Sequence, residues 1–113
     1  MTDILTTIAL NALEDLKANN ITQLNVNGLS DVTDQLIIAS GTSHRHVKSL
    51  ATNLVIQAKK EGYEVIGIEG IETSDWVLVD FGDTVIHVML PETRNLYDLE
   101  GLWTTIDPPD QIK

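Results

Sequence analysis

The segment from Trp76 to Met89 reads WVLVDFGDTVIHVM and constrains the fold more than any other part of the chain. β-Branched and aromatic residues flank Gly82-Asp83 on both sides, a pattern typical of two strands joined by a tight turn. If Phe81 pairs with Thr84, alternate side chains fall on opposite faces of this predicted hairpin. One face is wholly apolar and is predicted to be core: Val77, Val79, Phe81, Ile86, Val88 and Leu90.

The second face of the predicted hairpin mixes large apolar groups with one acid and one imidazole. Its members are Trp76, Leu78, Asp80, Val85, His87 and Met89. This mixture is unusual for a hydrophobic core, because burying a polar group without a hydrogen-bond partner costs free energy. We therefore expect this face to be a surface that contacts something else.

Three helices are predicted from apolar residues that recur at steps of three and four. The first spans residues 3–17. The second runs from a Ser43 cap to Gly62, and the third begins at Pro91, which suits the first turn of a helix. The apolar side of the third helix is predicted to carry Leu96, Leu99 and Leu102.

Three further strands are predicted over residues 21–26, 35–40 and 64–69, where short β-branched runs occur. A strand, a helix of about five turns and a second strand indicate a right-handed parallel crossover, whereas the hairpin is antiparallel. The order α-β-β-α-β-β-β-α therefore predicts an α/β fold with a mixed five-stranded sheet and flanking helices. We expect a single domain over residues 1–106 and a polar tail over residues 107–113.

The charge of the chain narrows the class of partner. Its 113 residues contain 17 Asp and Glu but only 7 Lys and Arg, a formal net charge of −10. Direct nucleic-acid binding is not expected from this balance, because phosphates are neutralised by clustered basic residues. A basic protein is the better match, since opposite fields speed encounter.

We predict the cellular compartment from features that the sequence lacks. The chain has no cysteine, which excludes disulfides, thiolate metal sites and a cysteine nucleophile. Its first residues, MTDILTTIAL, lack the basic region of a signal peptide, and no apolar run is long enough to cross a bilayer. A soluble cytoplasmic protein is the simplest interpretation.

Two short motifs near residue 44 could carry chemistry. Gly41-Thr42-Ser43 lies between a strand and a helix, where free N–H groups can hold an anion, but any capped turn of this kind looks the same. His44 and His46 are two residues apart on a helix and diverge, so they do not suit a metal. A solvated first turn is the favoured interpretation, and no metal or other cofactor is predicted.

The hairpin offers a second cluster, formed by Asp80, Asp83 and His87. A general base is one hypothesis for it. However, Asp83 occupies a turn position that Asp fills for conformational reasons, and no nucleophile is placed to complete a site. The Asp80-Phe81-Gly82 match to a kinase tripeptide is chance, because the other kinase motifs are missing. We expect His87 to be a partly buried imidazole bonded to Asp80 or to backbone, which is compatible with a binding role.

The region after the hairpin strengthens the prediction that this protein binds a partner. Trp103 and Leu99 could simply pack the last helix onto the sheet. Together with Trp76, however, this region holds both tryptophans of the chain and one of its two tyrosines, Tyr97. Trp and Tyr dominate binding hot spots, so aromatic residues rimmed by acids indicate a protein partner.

Nearly the whole chain resembles the ribosomal silencing factors, also known as the Iojap family. The combination W-V-L-x-D-x-G-D with Y-D-L-E-x-L-W is specific for it. The matching pieces are Ser30-Asp31, Thr33-Asp34, Ile37 to Ser43, Arg45 to Lys48, Glu69-Gly70, Trp76 to Asp83, Val85 to Met89, Arg94, Tyr97 to Glu100 and Leu102-Trp103.

This resemblance implies an α/β fold related to nucleotidyltransferases and a regulatory, non-enzymatic role. It implies binding to the large ribosomal subunit through ribosomal protein L-fourteen, so that the small subunit cannot join and translation is repressed when nutrients fall short. The partner-binding residues that it implies by matching positions are Trp76, Leu78, Asp80, His87, Met89, Arg94, Tyr97, Asp98, Leu99, Glu100 and Trp103.

Two alternatives stay open at this point. A nucleotidyltransferase-like enzyme would use the turn from Ser40 to Ser43, although Asp80-x-x-Asp83 has the wrong spacing for two metals on one strand. A small acidic ligand-binding module is the other alternative. A homodimer through the mixed hairpin face would compete with the ribosome for the same residues.

Overall fold

The computed structural model describes residues 4–25, 34–98 and 101. Within these ranges the elements follow the predicted order α-β-β-α-β-β-β-α. The helices are α1 (Ile4–Asp15), α2 (His44–Lys60) and α3 (Pro91–Tyr97). The strands are β1 (Asn19–Asn25), β2 (Gln35–Ser40), β3 (Gly67–Glu69), β4 (Trp76–Asp80) and β5 (Thr84–Met89).

The five strands form one mixed sheet, as predicted, and their order in it is β1-β2-β5-β4-β3. Strands β2 and β5 are parallel, while the other neighbouring pairs are antiparallel. Strand β3 therefore runs in the same direction as β2, but β5 and β4 lie between them. Helix α2 makes this crossover and packs on β4 and β5.

The β4–β5 hairpin has the predicted register. Its pairs run from Trp76 opposite Met89 to Asp80 opposite Val85. The Phe81 N–H donates to the Thr84 carbonyl at 2.9 Å, which closes the two-residue turn. Gly82 adopts a φ of 102°, a conformation that glycine accepts without steric cost.

One face of the sheet packs against α1 and α2 and forms the main core. All six residues predicted for the apolar face of the hairpin are buried there. The inward residues of α2 join them: Val47, Leu50, Ala51, Leu54 and Ala58. A smaller cluster on the other face of the sheet joins buried Leu36 and Val85 to partly buried Leu24 and Leu78.

Helix α2 begins and ends as its sequence predicts. The Ser43 hydroxyl accepts a hydrogen bond from the His46 N–H at 3.1 Å, and Lys59 and Lys60 lie in the last turn. Gly62 follows with a φ of 89°. None of the helices in the described ranges combines the length and apolar character that crossing a bilayer requires.

The remaining differences from the sequence prediction are at element ends. Helix α1 stops two residues early, and β3 begins at Gly67 rather than residue 64. Leu96, predicted to lie on the apolar side of the last helix, is 77% exposed; α3 ends at Tyr97, and Asp98 turns left-handed with a φ of 47°. Leu99, Leu102 and the predicted tail lie outside the described residues.

Candidate partner-binding face

The turn that precedes β4 fixes the position of Trp76. Gly70 has a φ of +85°, and a Cβ atom there would lie 2.1 Å from the Trp76 carbonyl oxygen. The Gly70 carbonyl accepts a hydrogen bond from the Ser74 N–H, and the Ser74 hydroxyl donates to the Ile71 carbonyl at 2.7 Å. This close approach of backbone to backbone requires glycine.

Trp76 is held from the neighbouring strand by His87. The indole Nε1–H donates to His87 Nδ1 at 2.9 Å, and the two rings are tilted by 49° with centroids 5.9 Å apart. Because Nδ1 accepts, the neutral imidazole carries its proton on Nε2. Burial lowers the pKa of His87 to about 4, so the ring is neutral at physiological pH. The predicted partners of His87, Asp80 or backbone, were therefore wrong.

Tyr97 extends this arrangement from the end of α3. Its ring lies 4.9 Å from the Trp76 ring, centroid to centroid, at a tilt of 47°. Tyr97 is 57% exposed and Trp76 is half-buried. We call Trp76, His87 and Tyr97 the aromatic cluster. It presents aromatic surface to the outside while its inner members are held by a hydrogen bond.

Asp80 and Asp83 shape the hairpin turn and its connection to β2. The Asp80 carboxylate accepts from the Gly82 N–H at 2.8 Å. The Asp83 carbonyl accepts from the N–H groups of Asp34 and Gln35 at 2.8 and 3.0 Å. The hydrogen bonds of Asp80 and His87 thus go to different partners, and no group of three metal-ligating side chains occurs within residues 4–25, 34–98 and 101. This geometry gives the catalytic hypothesis no support.

Three residues predicted to lie on the partner-binding surface are instead buried. Met89 is completely buried and His87 is 7% exposed. Arg94 is 8% exposed, and its guanidinium donates to the Ser40 and Thr22 hydroxyls, each at 2.9 Å. These side chains therefore lie within the fold and not on its surface. The polar groups of His87 and Arg94 form hydrogen bonds there, as buried polar groups generally do.

The other predicted contact residues divide into two groups. Leu78 and Asp80 are partly exposed, and Asp98 is exposed. The Asp98 carboxylate accepts from the Gly101 N–H at 3.1 Å. Leu99, Glu100 and Trp103 lie outside the described residues. The structure therefore brings Trp76, His87 and Tyr97 together. Leu78, Asp80 and Asp98 are close to Trp76 or Tyr97 in the sequence and are exposed or partly exposed.

Three N–H groups at the strand-to-helix turn after β2 already donate hydrogen bonds within the chain. The Gly41 N–H donates to the Met89 carbonyl at 3.0 Å, and the Thr42 N–H donates to His46 Nδ1 at 2.9 Å. The His46 N–H is taken by Ser43. The N–H groups of Gly41, Thr42 and His46 are therefore already engaged within the chain and are not free for an anion.

His46 is a residue whose role the sequence interpretation missed. Its Nε2–H donates to the Leu16 carbonyl at 2.7 Å, so the ring joins the start of α2 to the end of α1. The prediction of a wholly solvated first turn was wrong for this residue. His44, on the exposed side, pairs with Asp75 instead.

Ser40 and Thr22 were also missed, although they hold Arg94. They lie 54 and 72 residues from it in the sequence. No local pattern could have found them, since a hydroxyl in a strand is common and its partner is chosen by the fold.

Comparison with known proteins identifies the family. The family model described as "Ribosomal silencing factor during starvation" matches residues 2–113. The ribosomal silencing factor RsfS of Chromobacterium violaceum is 45% identical over 96 residues, which cover 85% of this chain and 79% of that protein. A crystal structure of a protein from the same bacterium superimposes with a TM-score of 0.88 at 41% identity, covering 95% of this chain and 91% of that one.

A eukaryotic relative is similar over much of the chain. The mouse protein named mitochondrial assembly of ribosomal large subunit protein 1 is 45% identical over 85 residues, covering 71% of this chain but only 36% of the mouse protein. The family match spans almost the entire sequence, and the structural match covers nearly all of both chains. The chain therefore belongs to the ribosomal silencing factor family.

Proposed function

We propose that this chain binds the large ribosomal subunit in the cytoplasm, at ribosomal protein L-fourteen, and prevents the small subunit from joining when nutrients are short. Family membership supports a role in ribosome silencing, and the name of the mouse relative refers to the large subunit. The structural observation that carries the proposal is the aromatic cluster, whose exposed Tyr97 ring packs at a tilt against a tryptophan held in place by a buried histidine.

The aromatic cluster has the properties of a binding hot spot. Hot spots concentrate Trp and Tyr in a few well-packed positions that lose little conformational entropy on binding. The Trp76 indole is already oriented by the hydrogen bond to His87, and its contact with the Tyr97 ring restrains both side chains. A partner would therefore meet a surface that is organised before it arrives.

The proposed mechanism is steric and needs no catalytic group. An interface of roughly 1,200 to 2,000 Å² is enough for a stable complex between proteins. A domain held on the joining side of the large subunit would occupy space that the small subunit needs. The net charge of −10 favours a basic ribosomal protein as the anchoring partner.

The first test is co-sedimentation with purified large subunits, comparing Tyr97→Ala with Ile4→Ala. Both substitutions remove an exposed apolar side chain, but Ile4 belongs to α1, on the opposite side of the sheet. We expect Tyr97→Ala to weaken binding by about tenfold or more, as hot-spot truncations do. Ile4→Ala should bind like the unmodified chain. Equal binding by both variants would contradict the proposed surface.

The second test separates docking from its consequence. Unmodified chain added to large subunits should reduce the yield of joined ribosomes when small subunits are supplied, and Tyr97→Ala should reduce it less. Binding to isolated L-fourteen, measured in parallel, would locate the anchor. Normal joining in the presence of saturating bound chain would refute the steric mechanism.

A further inference from the structure

Helix α2 carries a charge opposite to that of the rest of the molecule. Its 17 residues include four basic residues and no acidic one, a formal charge of +4 with histidine neutral. The other residues of the chain contain the remaining three basic residues and all 17 acids, a formal charge of −14. Four of the seven basic residues therefore lie on one helix that has no acidic residue.

The charge of α2 lies on its outer side. Its inward residues are buried against the sheet and α1, whereas the exposed positions recur at steps of three and four along the helix. We call this exposed row the basic stripe. Its members are Arg45, Lys48, Thr52, Ile56 and Lys59.

The basic stripe borders a shallow groove of about 450 Å³ lined by Arg45, Lys48, Ser49, Thr52, Asn53 and Ile56. Ile56 is 50% exposed at the middle of the helix. The groove therefore combines two long cationic side chains, small hydroxyl groups and one apolar contact. Hydroxyl and cationic side chains are the usual donors to phosphate oxygens.

No lysine or arginine of α2 forms an ion pair with an acid among the residues that the structure describes. Within the part of the chain that the structure describes, the single ion pair joins His44 and Asp75. On one flank of α2, Asp15 and Glu61 line a separate depression that also includes Gln57. Arg45 and Lys48 lie on the other flank, in the groove of the stripe.

We propose that the basic stripe, on the side of the sheet opposite to the aromatic cluster, contacts the phosphate backbone of ribosomal RNA. This inference rests on the proposed function, since it describes the second contact of a chain docked on the large subunit. A molecule with a charge of −10 would otherwise be repelled by the RNA around any ribosomal protein. The acid-free α2 gives this acidic molecule one surface that RNA phosphates would attract.

RNA is favoured over an acidic protein by the form of the stripe. A row of single cations spaced along one helix follows a linear array of phosphates, and no aromatic anchor accompanies it to form a protein hot spot. The stripe also differs from the expectation drawn from composition, which was that this chain makes no contact with nucleic acid.

The closing experiment measures affinity for large subunits at several salt concentrations with magnesium held constant. Lys48→Gln is compared with Lys17→Gln, an exposed lysine just after α1, so that both variants have the same net charge. Each phosphate contact contributes about 0.7 to 0.9 to the slope of log affinity against log salt. We expect Lys48→Gln to reduce the slope by that amount and Lys17→Gln to leave it unchanged.

The double variant Arg45→Gln with Lys48→Gln should lose about twice as much slope. Between 0.05 and 0.2 M salt, the unmodified chain should then lose roughly tenfold more affinity than the double variant. Equal slopes for Lys48→Gln and Lys17→Gln would overturn the inference. Tyr97→Ala separates it from the proposed function, because that variant should weaken binding at every salt concentration without changing the slope.

A crosslink identifies the class of molecule that the stripe meets. The chain has no cysteine, so Lys48→Cys provides one unique attachment point for a photoreactive maleimide, and Asn11→Cys on α1 provides the control. Adducts to ribosomal RNA from position 48 above those from position 11 would support the inference. Adducts only to ribosomal protein, or no excess over the control, would overturn it.

Discussion

The aromatic cluster and the basic stripe differ in how firmly each is built into the fold. Buried groups hold the cluster: its own member His87 bonds the Trp76 indole, and Arg94, in the helix that carries Tyr97, is anchored on two hydroxyls. The stripe consists of exposed side chains on a helix whose stability comes from its other side. A rigid surface supplies affinity with little entropic loss, whereas mobile cations supply a salt-dependent field. The two surfaces should therefore respond differently to substitution.

The largest expected effect concerns the turn that positions the cluster. Gly70→Ala forces a side chain into a left-handed backbone position and against the Trp76 carbonyl, so we expect about 3 kcal/mol of lost unfolding free energy. Gly67→Ala is the matched control, because a Cβ atom there meets nothing within 4 Å. Urea denaturation checks both. A stable Gly70→Ala variant would show that this turn does not restrain Trp76.

The second effect is a dependence of stability on pH. The pKa of His87 is about 4 when folded and 6.5 in its ordinary state, so the unfolded chain binds the proton first and stability falls as pH drops from 6.5 toward 4. His87→Gln keeps an acceptor for the indole but cannot titrate. We expect the unmodified chain to lose about 2 kcal/mol more than His87→Gln between about pH 7.5 and about pH 5.

Urea denaturation of the two proteins at each pH measures this difference, and carboxylates common to both cancel. Parallel pH profiles would mean that His87 keeps its ordinary pKa. In that case the cluster would be more open to water than its burial indicates.

A smaller effect is expected at the start of α2, on its inner side. His46→Ala removes the hydrogen bond to Leu16 and the acceptor for the Thr42 N–H, which should cost about 1 kcal/mol. His44→Ala is the control two residues away, where an exposed pair with Asp75 contributes less than about 0.5 kcal/mol. Thermal or urea unfolding compares them. Equal losses would mean that the His46 bridge adds nothing beyond surface contacts.

The smallest effect is expected at the basic stripe itself. The double variant Arg45→Gln with Lys48→Gln changes only exposed side chains, so its unfolding free energy should stay within about 0.5 kcal/mol of the original. Denaturation under the conditions of the salt titrations checks this. A large loss would show that the stripe is part of the structural framework and would remove the contrast with the aromatic cluster.

Much of the fold was predictable because its signals are local. The turn at Gly82-Asp83 fixes the register of the hairpin, and alternation then assigns every side chain to a face. Ser43 and Gly62 mark the limits of α2 in the same way. The predicted site was less secure, since its members were assigned to a surface from their types alone.

The sequence by itself determined the element order, the mixed sheet, the hairpin register and the family, because short-range periodicity, turn residues and specific motifs carry that information. Tertiary structure alone decided which predicted partner-binding residues are exposed and which are buried. It buried Met89 and Arg94, joined His87 to Trp76 and placed three of the four basic residues of α2 on one exposed row. Burial and pairing depend on neighbours that are distant in the chain, and residue type does not specify which neighbour the fold will supply.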